Sequence, residues 1–464
     1  MSNALDLFDQ TFSSLERASG VLGLLQCVWV YDRDIDIDGL RQFHHHLQRG
    51  RLSRRIERSP LPFGRHRWVS PSGQSDLEIA ATPRPREEFE AWLGEQAATR
   101  LDAEHGPEWQ LAVLPFTDGG AGVSLVISHC LTDGIGLCDA LAEAAAGRHD
   151  PISWPAAGSR PRWRALREDA RQTARDIPGI GRALVAAAAA ARLARRNRGS
   201  AGNVTLPPAL SGGPDEPITI PTATIFVDAD EWDARARSLG GSSNTLLAGL
   251  AARLGQQVGR VTADGSVDLT MPVNERTAGD TRANAITNVD FTVDPAPAPT
   301  DLREIRAAIK QALIRSQQEL NERWELLHLA PLLPQWLVRK WAGVSASSAT
   351  SVVSSNLGEV NPAACRPDGT DADHFVMKSL GQGLTETIMH RLGGLLVLLS
   401  GRTHDQVFVS VLSYQPGRSN SNGELLQHLS SVLNDFSLTA TIGWPRANAI
   451  ADQTNSTELV ALTA

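Results

Sequence analysis

The stretch Val123-Ser-Leu-Val-Ile-Ser-His129-Cys-Leu-Thr-Asp133-Gly134 decides the fold of this chain. The first six residues form an apolar, β-prone run that predicts a strand, and His129 stands at its end. Asp133 and Gly134 predict a turn, and the Ala/Leu/Gly-rich residues 135–147 predict a helix after it. An imidazole is therefore expected at the rim of a sheet, in a turn between a strand and a helix.

Strand and helix patterns alternate on both sides of this stretch. Apolar runs predict strands at 21–31, 109–115, 122–128, 218–228, 267–273, 395–399 and 407–412. Helical spacing predicts helices at 38–49, 243–257, 301–320 and 424–436. We therefore predict an α/β protein with an N-terminal half over 1–155, a crossover linker over 156–215 and a C-terminal half over 216–464.

Composition agrees with this division and limits the partners. The chain has 464 residues, 42 % of them hydrophobic, which is typical of a soluble protein with two or three domains. Its net charge is -8, yet residues 160–198 contain 11 arginines against three acidic residues. The rest of the chain is therefore strongly acidic, which argues against nucleic acid as a partner.

The linker is expected to contain an Arg/Ala-rich helix at 182–196, and its role has two interpretations. It can be a solvated crossover helix, or it can contact an anionic membrane. Positive charge is concentrated in and beside this helix at Arg182, Arg192, Arg195, Arg196 and Arg198. Because its apolar residues are mostly alanine, insertion into lipid would be weak.

The four cysteines indicate neither a disulfide framework nor a metal site. Cys27, Cys130, Cys138 and Cys365 have no CxxC spacing, and the consecutive histidines at 44–46 would point in different directions on a helix. The first residues do not resemble a signal peptide, and no apolar run approaches the ~20 residues of a membrane span. We expect a cytoplasmic protein, in peripheral contact with membranes if at all, with no metal and no redox cofactor.

With its flanking segments, the histidine motif resembles a known superfamily: acyltransferases built from two chloramphenicol-acetyltransferase-like domains. These include condensation domains, polyketide-associated acyltransferases and the wax ester synthase/diacylglycerol acyltransferases. Their signature is His-His-x-x-x-Asp-Gly, and here Ser128 replaces the first histidine while His129 matches the second, catalytic one. Four further segments are similar to family motifs: Leu5–Phe12, Ser243–Ala248, Met271–Arg276 with Asn284, and Ser355–Gly358.

The resemblance implies two α/β domains that form a V with a tunnel at their interface, in a monomer. It also implies an O-acyltransferase that moves an acyl group from acyl-CoA, or from an acyl carrier protein, to a hydroxyl of a lipid. The donor is a thioester of coenzyme A or of phosphopantetheine, and it is a substrate rather than a cofactor. A stand-alone condensation domain that forms amides, and a non-catalytic domain that binds an acyl or carrier partner, are the alternatives.

Roles follow for individual residues. His129 is expected to take the proton of the attacking hydroxyl, because histidine titrates near neutral pH. Asp133 is expected to pair with an arginine, for which Arg54 and Arg55 are the candidates, and it can also cap the following helix. Gly134 would allow a positive φ or a close approach of the backbone.

Three further residues have predicted roles. Ser355 or Asn356 would donate a hydrogen bond to the oxyanion, although both could simply form a turn after a strand. Arg276 would either cap a β-segment or contact the phosphates of the donor.

Overall fold

The computed structural model describes residues 3–71, 73, 75–148, 154–197, 215, 217–277, 279–327, 329, 332, 351–444 and 446. The helices are α1 (Leu7–Ser19), α2 (Ile37–Leu47), α3 (Phe89–Ala97), α4 (Gly134–Ala145), α5 (Arg162–Asn197), α6 (Ala229–Ser238), α7 (Ser243–Gln257), α8 (Arg303–Leu327), α9 (Glu386–Leu392) and α10 (Asn422–Asp435). The strands are β1 (Leu22–Tyr31), β2 (Arg55–Glu57), β3 (Arg67–Val69), β4 (Glu78–Ile79), β5 (Trp109–Pro115), β6 (Ala121–Ser128), β7 (Thr222–Asp228), β8 (Val267–Asn274), β9 (Ile286–Val293), β10 (Val352–Glu359), β11 (His374–Gln382), β12 (Leu395–Thr403), β13 (Gln406–Tyr414) and β14 (Thr441–Ile442).

The N-terminal sheet has the strand order β11-β1-β6-β5-β4. β6 lies between β1 and β5 and is antiparallel to both, and β4 runs parallel to β5. All eight residues of β6 are buried, because the sheet is covered on both faces. β6 ends at Ser128 and α4 begins at Gly134, so His129 lies in the predicted turn at the rim of the sheet.

The C-terminal sheet has the order β14-β7-β13-β12-β10-β8-β9. β10 runs parallel to both of its neighbours, β8 and β12, whereas the other pairs are antiparallel. A second core lies between this sheet and the helices α6, α7, α8 and α10, and Trp232 and Phe436 are completely buried in it. Each half therefore has its own hydrophobic core, as an α/β domain requires.

The two halves share one strand. β11 belongs to the C-terminal half by sequence, yet it pairs with β1 along its whole length, from Leu22↔Gln382 to Val30↔His374. The indole of Trp29 also donates a hydrogen bond to the carbonyl oxygen of Ala364, at 2.8 Å. The core of the N-terminal half is therefore completed by residues from the end of the chain.

Over its described residues, 156–197 and 215, the linker contains one long helix, α5, which has 36 residues and begins 20 residues before the predicted Arg/Ala-rich segment. Side chains of α5 beyond Val185, including Arg192, Arg195 and Arg196, lie outside the described part, as does Arg198. No helix within the described ranges is both long and apolar enough to cross a bilayer.

Candidate active site

A cavity of about 160 Å³ lies between the two halves at the end of β6. It brings together five of the residues singled out from the sequence: His129, Asp133, Gly134, Ser355 and Asn356. Its other lining residues are mostly apolar: Leu25, Ile135, Pro272, Asn274, Ile286, Val353, Leu357, Met377, Ser379, Val397 and Leu399. The predicted histidine therefore faces residues of the C-terminal half across a largely apolar space.

The backbone on both sides of the His129 side chain is fixed by hydrogen bonds. Its amide donates to the carbonyl oxygen of Gly23 at 2.8 Å, and its carbonyl oxygen accepts from Nδ2 of Asn284 at 3.1 Å. The ring packs against Phe12, with 5.4 Å between the ring centroids. Nδ1 is buried and has no hydrogen-bond partner among the described residues. Nε2 is therefore the ring nitrogen that can serve a substrate in the cavity.

Asp133 is buried and is held on both of its carboxylate oxygens. Oδ1 accepts from the amide of Gly136 at 2.7 Å and caps α4. Oδ2 accepts from Nη2 of Arg276 at 2.7 Å and from the amide of Ala285 at 2.8 Å. Both side chains of the Asp133–Arg276 pair are almost inaccessible, with 2 % and 6 % exposure. The carboxylate therefore joins the histidine turn to a loop of the C-terminal half and is not placed to accept a substrate proton.

The predicted arginine partners of Asp133 were wrong. Arg54 instead donates to the carbonyl oxygens of Leu131 and Thr281, each at 2.7 Å, and its guanidinium stacks on the ring of Trp68. Burial lowers the pKa of Arg54 to about 10. The Arg54 side chain therefore supports the histidine turn by binding a backbone carbonyl group of that turn. Arg55 lies in the β2–β3 hairpin.

Arg276 was expected either to cap a β-segment or to contact the phosphates of the donor, and the structure contradicts the second role. Nη1 and Nη2 of its guanidinium donate to the carbonyl oxygens of Arg282 and Ala283, in addition to the pair with Asp133. The guanidinium is thus buried in the contact between the halves.

Two glycines make this contact possible. Gly134 does not have a positive φ. A Cβ there would lie 2.7 Å from Cδ2 of Leu357, so the close-approach interpretation applies. A Cβ on Gly136 would lie 2.9 Å from Nη2 of Arg276. Position 134 must therefore lack a side chain for Leu357 to approach, and position 136 must lack one for Arg276 to reach Asp133.

Asp9 on α1 holds the loop that in turn holds Asp133. Its carboxylate accepts from the amides of Ala283 and Asn284, both at 2.9 Å. Burial raises its pKa to about 6, although these amides act in the opposite direction. Asp9 therefore connects α1, the 283–285 loop and the histidine turn in one network.

Glu16, also on α1, holds the other side of the turn. Its carboxyl group accepts from the amide of Gly23 at 2.7 Å and from the thiol of Cys130 at 2.6 Å. Burial raises the pKa of Glu16 to about 7, and burial together with Glu16 raises the pKa of Cys130. Gly23 and Cys130 are the backbone partner and the chain neighbour of His129, so Glu16 is a positioning residue for the imidazole.

The hydroxyl of Ser128, which stands where the family has its first histidine, accepts a hydrogen bond from the amide of Cys130 at 3.3 Å. Ser128 is 2 % exposed, so it supports the turn from within the protein.

Ser355 and Asn356 lie within β10 rather than in a turn. The Asn356 side chain donates to Oδ1 of Asn244 at 2.5 Å and accepts from the amide of Gly358 at 2.8 Å. It therefore stabilises the bulge in β10. Within the described residues, the Ser355 hydroxyl forms no hydrogen bond, which leaves it as the better-placed donor to a bound oxyanion.

A second cavity, of about 670 Å³, lies beside α1. Its lining includes Phe12 and Gly23, which contact His129, and Ile388, Arg391 and Leu392 at the end of α9. His129 lines the first cavity, and two residues that contact it, Phe12 and Gly23, line the second.

Solved structures with the same arrangement of elements identify the fold. The first condensation domain of the calcium-dependent antibiotic synthetase aligns with a TM-score of 0.56 and 14 % identity over 94 % of this chain and 96 % of its own. The chain has the condensation-domain fold. The predicted two-domain α/β fold, and the predicted resemblance as far as the fold is concerned, are thereby confirmed.

Two other solved structures share this condensation-domain fold. The wax ester synthase/diacylglycerol acyltransferase from Marinobacter aquaeolei VT8 aligns with a TM-score of 0.53 and 18 % identity over 93 % of this chain and 98 % of its own. Polyketide synthase associated protein 5 from Mycobacterium tuberculosis aligns with a TM-score of 0.52 and 15 % identity over 93 % and 96 %. No family model matches the chain, and no curated protein matches it in sequence.

Sequence reasoning assigned no role to Asp9 or Glu16, which complete the site from α1. Their only signal was the weak resemblance of the segment Leu5–Phe12 to the opening of the family, which contains Asp9 but ends before Glu16. An acidic residue on an amphipathic helix is ordinarily solvated, so its burial against a distant loop has no local signature.

Proposed function

We propose that this protein is an O-acyltransferase that moves an acyl group from a thioester to a hydroxyl group of a lipid. The observation that carries the proposal is the position of His129, at the end of β6 in a cavity between the two halves. The donor would be a thioester of coenzyme A or of the phosphopantetheine of a carrier protein. The acceptor would be an alcohol that fits an apolar cavity.

In the proposed reaction, Nε2 of His129 takes the proton of the acceptor hydroxyl while the hydroxyl oxygen attacks the carbonyl carbon of the thioester. The Ser355 hydroxyl donates a hydrogen bond to the oxyanion of the tetrahedral intermediate. The C–S bond then breaks, and the leaving thiolate takes the proton back from the imidazolium. The products are an ester and a free thiol, and the histidine is regenerated without a covalent acyl-enzyme.

Three features of the site support this assignment. The apolar lining from Leu25, Ile286, Val353 and Leu399 limits access of water, which would otherwise compete with the alcohol for the thioester. The second cavity, lined by Phe12 and Gly23 next to His129, offers a separate place for one of the two substrates. The network around Asp133 fixes the turn that aims the imidazole.

The test is the release of free thiol by purified protein from a series of acyl-CoA donors, with and without long-chain alcohols. We expect release that depends on the alcohol in the wild type, and a fall of about 10² to 10⁴ in rate for His129→Ala. His105→Ala is the matched control, since His105 is exposed on the surface and pairs with Asp102. Its rate should equal that of the wild type.

Further outcomes separate the alternatives. Equal rates for His129→Ala and the wild type would remove His129 as the base. If acyl-CoA donors fail, acyl groups on a holo carrier protein are used in the same assay. Thiol release with amines but not with alcohols would replace ester formation by amide formation. Acyl binding without turnover on any donor would leave a binding domain of the same fold.

A further inference from the structure

The long helix α5 has its faces reversed relative to an ordinary surface helix. Its inner residues are small or polar and recur at a spacing of three or four: Ala165, Asp169, Gln172, Asp176, Gly179 and Ala183. Its exposed residues at the same spacing form what we call the outer stripe: Trp163, Leu166, Ala170, Ala174, Ile177, Gly181 and Leu184. Between residues 162 and 185, the large apolar side chains of Trp163, Leu166, Ile177 and Leu184 therefore point away from the protein.

The exposure of the outer stripe is high. The exposed fractions are 66 % for Trp163, 43 % for Leu166, 60 % for Ile177 and 57 % for Leu184. Isolated exposed apolar side chains are common, but a continuous row of them marks an interaction surface. From Trp163 to Leu184, the row is about 30 Å long.

The carboxylates of α5 are neutralised by arginines. Asp169, buried on the inner face, contacts Arg67 at 2.9 Å and Arg160 at 3.1 Å. Asp176 faces Arg65 at 4.0 Å, and Glu168 lies 2.9 Å from Arg164. These contacts attach α5 to the N-terminal half and leave its outer side without an acidic residue.

The flank of the outer stripe is cationic. Arg167, Arg171 and Arg175 are exposed and follow one another at a spacing of four, so they form a row beside the apolar side chains. Arginines beside an apolar stripe are the arrangement of a helix that lies in the plane of a lipid interface, where the arginines meet anionic headgroups.

We propose that the outer stripe of α5 docks this protein on an anionic lipid surface. Charge decides between this occupant and a second copy of the chain, because two copies joined through this face would bring two rows of arginines together. The rest of the chain is acidic and is repelled by the same surface, so binding is confined to this face and fixes the orientation of the protein. The inference does not depend on the proposed reaction.

The test is co-sedimentation of the full-length protein with vesicles of phosphatidylcholine containing about 30 % phosphatidylglycerol, and with vesicles of phosphatidylcholine alone. We expect binding to the anionic vesicles that weakens with salt, and little binding to the neutral ones. Replacement of Arg167, Arg171 and Arg175 together by Gln is expected to weaken binding by about a hundredfold. Ile177→Glu with Leu184→Glu should abolish it, because both side chains must enter the interface.

The matched control is Phe63→Glu, which changes an exposed apolar residue outside α5 and should bind as the wild type does. Thermal unfolding of each variant shows whether the fold is retained. Equal binding of all variants, or binding to neither kind of vesicle, would overturn the proposal. The proposal would also be overturned if the wild type were a dimer that Ile177→Glu dissociates. Capture of a holo acyl carrier protein through this face in the absence of vesicles would overturn it as well. Failure of the proposed function shows itself separately, in thiol release with water-soluble short-chain substrates.

Discussion

Asp133 and Glu16 hold the two sides of the same histidine turn, and they solve the problem of a buried carboxyl group in different ways. Asp133 is matched by the guanidinium of Arg276 and by two backbone amides. The described partners of Glu16 are a backbone amide and a thiol, and its pKa is raised to about 7. One carboxyl group is therefore stabilised by a cation and the other by a proton.

These different partners indicate which side of the histidine turn depends on pH. Asp133 is paired with a guanidinium at 2.7 Å, so this contact between the halves rests on a charge-assisted hydrogen bond. A carboxyl group that depends on a proton changes its charge near neutral pH. The side of the turn that faces α1 is therefore the side that responds to pH.

The largest effect is expected from breaking the ion pair. Asp133→Ala leaves the Arg276 guanidinium buried without its carboxylate, which typically costs about 3 to 5 kcal/mol in the free energy of unfolding. Urea denaturation measures this cost, and thiol release should be lost as well. Arg276→Ala should cost a similar amount for the same reason.

A double-mutant cycle separates the pair from its surroundings. Asp133→Ala combined with Arg276→Ala should cost clearly less than the two single costs added, because neither charge is then stranded. Additive costs would mean that the two side chains act independently, which would contradict the pairing described here.

A smaller effect is expected from pH, and its sign is opposite to that of a salt-bridged carboxylate. The pKa of Glu16 rises from 4.5 to about 7 on folding, so the native state holds a proton that the unfolded chain has released. The contribution of Glu16 to the free energy of unfolding should therefore fall as pH rises from about 5 to 8. At about 1.4 kcal/mol for each tenfold change in proton affinity, Glu16 would account for about 3 kcal/mol.

Urea denaturation at several pH values checks this expectation with Glu16→Gln. The variant cannot titrate at this position, so its stability should fall less steeply over the same range. Asp9→Asn is the companion variant, because burial also raises the pKa of Asp9, to about 6. Equal slopes for the wild type and Glu16→Gln would show that Glu16 is not protonated on folding, whatever buried histidines such as His66 add to both profiles.

The smallest effect is expected from Cys130→Ala. A thiol is a weak donor, so its loss should cost less than about 1.5 kcal/mol. The hydrogen bond from Cys130 lowers the pKa of Glu16, so its removal should move the fall in stability to higher pH. An unchanged pH profile would mean that the thiol does not influence the carboxyl group.

The sequence was sufficient for elements whose signal is local. The helix predicted at 243–257 and the strand predicted at 109–115 have the predicted bounds in the structure, because each is a long periodic or apolar run. β11 was not predicted, since its partner β1 lies at the other end of the chain. The single helix α5 was longer than expected because its first half has its apolar residues on the outside.

For the candidate site, too, only residues within one local motif could be predicted from the sequence. His129, Asp133 and Gly134 were found because they are close together in one motif. The arginine partner was assigned to Arg54 or Arg55, whereas Arg276, 143 positions from Asp133, forms the pair. Which of many arginines reaches a buried carboxylate depends on the docking of the two halves, and no local pattern encodes that docking.

The strand shared by the two halves has a consequence for synthesis on the ribosome. The hydrogen bond from Trp29 to Ala364 joins residues 335 positions apart. At about 5 to 20 residues per second, translation needs roughly 20 to 70 s to cover that distance. During this time one edge of β1 has no partner strand, although it is apolar and prone to pair with other chains. Nascent chains of this protein should therefore bind chaperones until β11 has emerged.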